Sequence, residues 1–349
     1  IKDQPDLKSG FTIVDSKTSE ANETWNPVWG EVKSIRNNYK ELAVTLEQKT
    51  EKLTRKIIVR FRLFDDGLGF RYEFPVQDQL KYFTVNDEKT EFNFTGNHKT
   101  FWIPGDYDTN EYAYKTTKLS EIDATIRNPI DQISAQTQFA DNAVQTPLMM
   151  KSNDGLYINI HEAALVNYPA MYLKVNRQTF ESVSHLAPNA VGSAAFLQTP
   201  AKTPWRTIIV SDKATEILAS KMILNLNEPT KYADTSWIKP QKFVGVWWGM
   251  HVNTESWNYA DVNNVKIDET DWKSLKPNGK HGANTANVKK YIDFAAKHGI
   301  DGVLVEGWNV GWEDWYGNWK ENVFDFVTPY PDFDVKELQK YAAKKKVKI

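Results

Sequence analysis

The residues best suited to chemistry gather near the end of the chain. Glu306 closes the apolar run GVLVE, and a carboxylate at the end of a buried strand faces the mouth of a site rather than the apolar layer beneath it. Trp247 and Trp248 end a second apolar run, Trp308 follows Glu306, and Trp312, Trp315 and Trp319 lie in the next loop. Eight of the 13 tryptophans fall within residues 243–349. Aromatic faces interleaved with Asn309, Glu313 and Asp314 suit a sugar, whose C–H faces pack on rings while its hydroxyls need polar partners. Any one of these tryptophans alone reads as a large core residue, and Glu306 alone as a salt-bridged rim carboxylate. The cluster taken together reads as a carbohydrate site.

Three other stretches invite chemistry. The loop WIPGDYDTNEYAY (Trp102–Tyr114) concentrates Asp106, Asp108, Asn110 and Glu111, hard oxygen donors at the alternate positions that open a calcium loop. The EF-hand pattern fails, since its glycine position is Glu111 and its twelfth position is Thr117, so the residues by themselves read as a solvated acidic turn. NGKHGANT (Asn278–Thr285) has a Gly-Lys pair but neither the upstream glycine nor the preceding strand of a phosphate-binding loop, so a nucleotide site is excluded. His161 and Glu162 end the run LYINI without a second histidine at helix spacing, which makes His161 a satisfied structural histidine rather than a zinc ligand.

The elements that must position these residues differ between the two parts of the chain. Up to about residue 226, short period-2 or β-branched runs alternate with turn residues: Leu42–Leu46, Lys56–Phe64, Gly69–Phe74, Leu156–Ile160 and Thr207–Val210. DDGLG (Asp65–Gly69) predicts a tight hairpin with glycine at positive φ. Many short strands with few helices predict an antiparallel sandwich, with one short helix capped by Asp212. Residues 227–242 form a Pro-flanked linker. Beyond it, Phe243–Trp248 and Ile300–Trp308 read as buried strands. Between them lies a helix capped by Asn284 or Thr285, apolar at Val288, Ile292, Phe294 and Ala295, and stopped at Gly299. A second helix at Val335–Lys346 leads into VKI, the start of a third strand. This is the rhythm of a (β/α) barrel, and 243–349 is under half the ~250 residues such a barrel takes, so the chain is expected to be part of a longer protein.

Composition narrows the field. The 349 residues carry 43 Lys+Arg against 45 Asp+Glu, a net charge of −2, without the basic excess of a nucleic-acid binder. With 41% hydrophobic and 13% aromatic residues the chain can build real cores, and no apolar run approaches the ~20 residues of a membrane span. Cysteine is absent, which removes disulfides, thiolate metal sites and cysteine nucleophiles together. The opening IKDQPDLKSG has no signal-peptide pattern, so any such peptide was removed or not included.

The run GKHGANTANVKKYIDFAAKHGIDGVLVEGWNVGWEDWYGNW, followed by VFDFVTPYPDFDVKELQKYAA, resembles the start of the catalytic barrel of glycoside hydrolase family 97. Its best known members are α-glucosidases of Bacteroides starch-utilisation systems. Upstream, TWNPVWGE, IRNNYKEL, DDGLGFRYEFP, FWIPGDYDTNEY, DGLYINIHEAALV, TPWRTIIVSD and LNLNEP resemble its N-terminal domain. The resemblance implies a multi-domain β plus α/β protein: an antiparallel β-super-sandwich over 1–226, a linker over 227–242, and the first part of a (β/α)8 barrel over 243–349. It implies a calcium-dependent, inverting α-glucosidase acting on non-reducing-end α-glucosides of an oligosaccharide substrate, placed in the periplasm. Glu111 in DTNEY corresponds to a calcium ligand, Trp247 to a tryptophan lining the glucose pocket, and Glu306 to a sugar-contacting carboxylate, with Trp308 and Asn309 completing the binding set. The general acid and bases are expected beyond Ile349, which would leave these residues inactive alone. A second branch retains configuration through an aspartate nucleophile and prefers α-galactosides; VEGWN is more similar to the α-glucosidase branch. A non-catalytic carbohydrate-binding protein is the competing class, and the strand–helix–strand segment argues against it.

Overall fold

The computed structural model describes residues 1–126, 136–315 and 323–349; Trp319 lies outside them. The chain divides into two compact units, Ile1–Ala233 and Asp234–Ile349. The division falls inside the stretch read as a linker.

In chain order the strands of the first unit are β1 (Phe11–Trp25), β2 (Ile35–Lys49), β3 (Thr54–Phe64), β4 (Gly67–Phe74), β5 (Tyr82–Val85), β6 (Glu91–Asn93), β7 (Lys99–Trp102), β8 (Lys115–Lys118), β9 (Ala143–Gln145), β10 (Leu148–Lys151), β11 (Tyr157–Ala163), β12 (Met171–Val175), β13 (Glu181–Leu186), β14 (Ala195–Gln198), β15 (Ala201–Lys202) and β16 (Trp205–Ser211). Their pairings are antiparallel. A large sheet runs β1-β2-β3-β4-β16-β11-β10-β7-β8 with β15 beside β4, while β6-β13-β12-β9 form a second sheet and β14-β5 a third. Period-2 side-chain alternation puts one face of each strand inward, as in β13, where Ser182, Ser184 and Leu186 are buried and the residues between them less so. Trp102, Leu148, Met150 and Ile160 of the large sheet share one core with Phe92, Val144, Leu173 and Val175 of the four-stranded sheet. Full burial of each such large apolar side chain contributes about 1.5–3 kcal/mol.

Buried between these sheets is an ionic triad. Arg206, fully buried, donates to both oxygens of Glu88 at 2.9 and 2.8 Å and to Glu162 at 2.7 Å. Glu162 also accepts the Met171 N–H at 3.1 Å, so β16, β11, β12 and the segment after β5 meet at one charge cluster. His161, the neighbouring residue, bonds Thr146 at 3.2 Å, as a structural histidine does.

The hairpin of β3 and β4 forms differently from expectation. Phe64 pairs with Gly67, so the reversal is made by Asp65 and Asp66, and neither Gly67 nor Gly69 has positive φ. These glycines are needed for close approach instead: a Cβ on Gly67 would stand 2.3 Å from the Ile208 carbonyl oxygen, and one on Gly69 2.8 Å from Leu226 Cδ1. After β16 come helices α1 (Ala214–Ala219) and α2 (Met222–Asn225). The cap position of α1 is Lys213 rather than Asp212, and its N–H bonds the Ser211 hydroxyl at 3.1 Å.

The second unit contains β17 (Phe243–Val246), α3 (Trp248–His251), α4 (Thr285–His298), β18 (Gly302–Val305) and α5 (Val335–Lys345). β17 and β18 pair in parallel, and Gly302 makes a further parallel bridge to Lys348, where the third strand was expected. The Asn284 side chain caps α4 by accepting the Asn287 N–H at 2.9 Å, and Gly299 ends the helix at φ +66°. Val288, Ile292 and Ala295 are buried, but Phe294 is 49% exposed and packs on His298. At 100° per residue Phe294 lies well off the stripe of the other three, and Tyr291 takes its place against the core. β17 is also less enclosed than expected, with Phe243 63% exposed. Among the described residues no helix is long and apolar enough to cross a membrane.

Candidate functional site

Strand register sets the site of the second unit. Val246 stands opposite Val305 in the parallel pair, so the next residues, Trp247 and Glu306, leave the sheet side by side at the same end. The Glu306 N–H bonds the Val246 carbonyl at 3.3 Å. Trp247 turns the chain into α3, and its half-buried ring meets those of His251 at 3.9 Å and Trp248 at 5.4 Å. Aromatic surface continues from His251 to Trp257 at 5.7 Å and from Trp257 to Trp312, stacked at 4.6 Å with 16° between planes. Glu306 is half-buried, and Gly307 turns the chain at φ +76°.

The residues after this turn are held tightly. Trp308 packs on Phe333 at 5.8 Å, and its carbonyl accepts the Tyr330 N–H at 2.9 Å. Asn309 is only 4% exposed; its amide donates to the Asp325 carbonyl at 3.1 Å and accepts from Trp312 Nε1 at 3.4 Å. Glu313 and Asp314, grouped with the sugar site in the sequence, brace the loop instead. Glu313 accepts the N–H groups of Tyr259 and Ala260 at 3.1 and 3.3 Å and the Tyr330 hydroxyl at 2.5 Å. Asp314 is buried and accepts the Asn264 N–H at 3.0 Å. Burial and the Glu313 charge push the Tyr330 hydroxyl far above its ordinary range, so it stays a neutral donor.

His281, inside the stretch rejected as a nucleotide loop, is a residue that sequence reasoning missed. Its Nδ1 lies 2.9 Å from each oxygen of Asp332 and its Nε2 2.8 Å from the Gly307 carbonyl. Partners 51 and 26 positions away leave no trace in local spacing.

Glu111 belongs to the first unit, on the loop after β7. Asp106 builds this loop: 1% exposed, its carboxylate accepts the N–H of Asp108 at 2.8 Å, that of Thr109 at 3.2 Å and the Tyr112 hydroxyl at 2.7 Å. Asp108 is engaged by the Thr137 hydroxyl. The reading of a solvated acidic turn is therefore wrong for Asp106, whose oxygens are occupied by the loop's own donors. Burial and Asp106 push the nearby Tyr172 hydroxyl up to about 12. Tyr107 in the same loop stacks on Phe139 at 4.5 Å and bonds His185 Nε2 at 2.7 Å, while His185 Nδ1 lies 3.6 Å from Asp87. Burial opposes the charge of Asp87, but His185, Lys89 and the Leu186 N–H hold its carboxyl well below the usual carboxylate range. Glu111 itself is exposed. Calcium takes six to eight oxygens, and among the described residues no three His, Asp or Glu side chains gather to hold a metal, so Glu111 could supply one ligand of a set and not a site.

Residues 1–229 match the family described as Glycosyl-hydrolase 97 N-terminal, and residues 247–349 match Glycoside hydrolase 97. The chain belongs to glycoside hydrolase family 97. A family 97 enzyme from Pseudoalteromonas sp. strain K8, solved in complex with acarbose, is 39% identical and superposes with a TM-score of 0.78 over 97% of this chain and 46% of that one. A variant of that enzyme in complex with panose gives the same identity, TM-score and coverage. A retaining alpha-galactosidase of Bacteroides thetaiotaomicron is 26% identical over 346 residues, covering 90% of this chain and 44% of the relative. The chain thus spans a little under half the length of these relatives.

Proposed function

We propose that the complete protein is a calcium-dependent glycoside hydrolase that releases glucose from non-reducing ends of α-glucosides with inversion. The observation that carries this reading is the emergence of Trp247 and Glu306 side by side at one end of the parallel strands. An aromatic face beside a carboxylate is what a pyranose needs, one packing on its C–H surface and the other accepting from its hydroxyls at about 1.5–3 kcal/mol per charged hydrogen bond. The choice of α-glucosides is supported by the 39% identity to the enzyme solved in complex with acarbose and, as a variant, with panose, a trisaccharide of α-linked glucose. Part of the same proposal is that the second unit begins a (β/α)8 barrel, supported by its parallel strands and the bridge at Lys348.

In this reading Trp247 and Glu306 bind the sugar, and Trp308 and Asn309 hold the strand end in place. No acid or base is assigned among these residues; inversion would use a carboxyl pair ~6.5–9.5 Å apart. Glu111 would contribute one oxygen to a calcium ion of the complete protein. The periplasm is the compartment this reading carries.

A second reading, a retaining α-galactosidase, is favoured by the Bacteroides thetaiotaomicron relative. Hydrolysis of aryl α-glucoside and aryl α-galactoside by the complete protein, with the first-formed anomer followed by proton NMR, separates the two. The β-anomer of glucose, lost on chelation and restored by calcium, supports the proposal. The α-anomer of galactose replaces it with the second reading. Sugar binding without cleavage of either substrate leaves a carbohydrate-binding protein.

A further inference from the structure

The Gly307 peptide joins Glu306 to Trp308, and it is the soft point of the proposed binding edge. Three groups pin this segment: the Glu306 N–H on the Val246 carbonyl at 3.3 Å, the Trp308 carbonyl under the Tyr330 N–H at 2.9 Å, and the Gly307 carbonyl under His281 Nε2 at 2.8 Å. Only the last is made by a side chain, and it acts where the chain passes through φ +76°, a conformation glycine reaches and leaves easily.

His281 is built to hold that carbonyl. Its side chain is 2% exposed, walled edge-on by Tyr330 at 5.0 Å and Tyr259 at 6.3 Å. Asp332 grips Nδ1 with both oxygens at 2.9 Å, which fixes the ring plane before Nε2 meets its acceptor. A carbonyl can only accept, so Nε2 is the donor in that bond. Asp332 is anchored in turn: its carbonyl accepts from the Thr285 N–H at 2.9 Å and the Thr285 hydroxyl at 2.6 Å, at the start of α4.

We infer that His281 is a positioning residue for substrate binding, setting the orientation of Glu306 and Trp308 through the Gly307 carbonyl. The inference rests on the reading of Glu306 as a sugar-binding carboxylate. It requires that loss of His281 act through Glu306 and not through stability alone, because ångström-scale misplacement of a binding group costs up to about 10²-fold.

The test is a double-mutant cycle in the complete protein, with kcat and KM on whichever aryl α-glycoside it cleaves and a thermal midpoint for each variant. His281→Ala raises KM about tenfold with kcat within about threefold, the pattern of lost uniform binding. His281→Gln, which keeps one donor, gives an intermediate rise of about threefold. In a Glu306→Gln background the effect of either change falls below about twofold. Should His281→Ala fail to fold, the His281→Gln cycle makes the same comparison. Unchanged KM in a folded His281→Ala variant, or an effect of equal size with and without Glu306, overturns the inference and leaves His281 a stability residue. Unchanged KM in Glu306→Gln itself overturns the reading of Glu306, and the inference with it.

Discussion

Replacing Arg206 by methionine isolates the ionic triad that joins the sheets of the first unit. The substitution keeps much of the side-chain volume but removes the cation between Glu88 and Glu162, each with a side chain 7% exposed. Three hydrogen bonds of 2.7–2.9 Å disappear, and two carboxylates are left facing each other in the interior. Breaking a buried pair from one side costs about 3–5 kcal/mol. With an m-value of about 2 kcal/mol/M, a loss of about 4 kcal/mol moves the urea midpoint of the first unit by about 2 M. The pH dependence gives a second check. Burial already holds Glu162 above the usual carboxylate range despite Arg206, and removing the cation raises it further. A carboxyl whose folded pKa exceeds its unfolded value favours folding at low pH and loses that contribution as pH rises through the folded pKa. The deficit of the variant should therefore shrink between pH 7 and pH 5. Adding Glu88→Gln and Glu162→Gln should recover much of the loss, since a neutral interior no longer holds unpaired charge. Urea unfolding of the complete protein by circular dichroism measures all of this. A midpoint shift under about 0.5 M, or a deficit independent of pH, refutes the argument.

Other outcomes follow from the same contacts. Asp106→Ala removes acceptors for two backbone N–H groups and a buried hydroxyl, and should cost about 1–3 kcal/mol by urea unfolding, whereas Glu111→Gln, an exposed change, leaves the midpoint in place while weakening calcium binding by calorimetry. If Glu111→Gln binds calcium as tightly as the parent, the proposed ligand role is lost. Asp87, held below the usual carboxylate range, contributes stability above its unfolded pKa that is lost as pH falls through the folded one; Asp87→Asn should flatten the acid limb of a stability–pH profile, and an unaltered limb rejects this. Asn284→Ala deletes the cap of α4 and should cost about 1 kcal/mol, read as a lower unfolding midpoint of the second unit.

How far each feature could be read in advance depended on the range of the interaction behind it. The cap at Asn284, the stop at Gly299 and the strand that ends just before Glu306 rest on residues a few positions apart, and each is visible as a local pattern. Gly67 and Gly69 were equally conspicuous, but they serve contacts with Ile208 and Leu226, which no local pattern reveals. Phe294 missed the core by its angle on the helix, which periodicity could have supplied, with Tyr291 as the inward residue.

Sequence by itself determined the strand-rich first part, the parallel strand–helix alternation of the second, the tryptophan-rich strand ends, and the motifs shared with family 97. These follow from side-chain period, turn chemistry and order along the chain. Only the tertiary structure decided which polar residues are already engaged inside the protein. Asp106, Glu313 and Asp314 carry the same carboxylate as Glu306 and Glu111 and read alike in sequence, yet they accept from N–H and hydroxyl groups of their own surroundings. His281 found its task through Asp332 and Gly307, which the fold alone brings to it. A hydrogen bond fills at about 3 Å whatever the distance along the chain, so which carboxylates brace the fold is written in three dimensions.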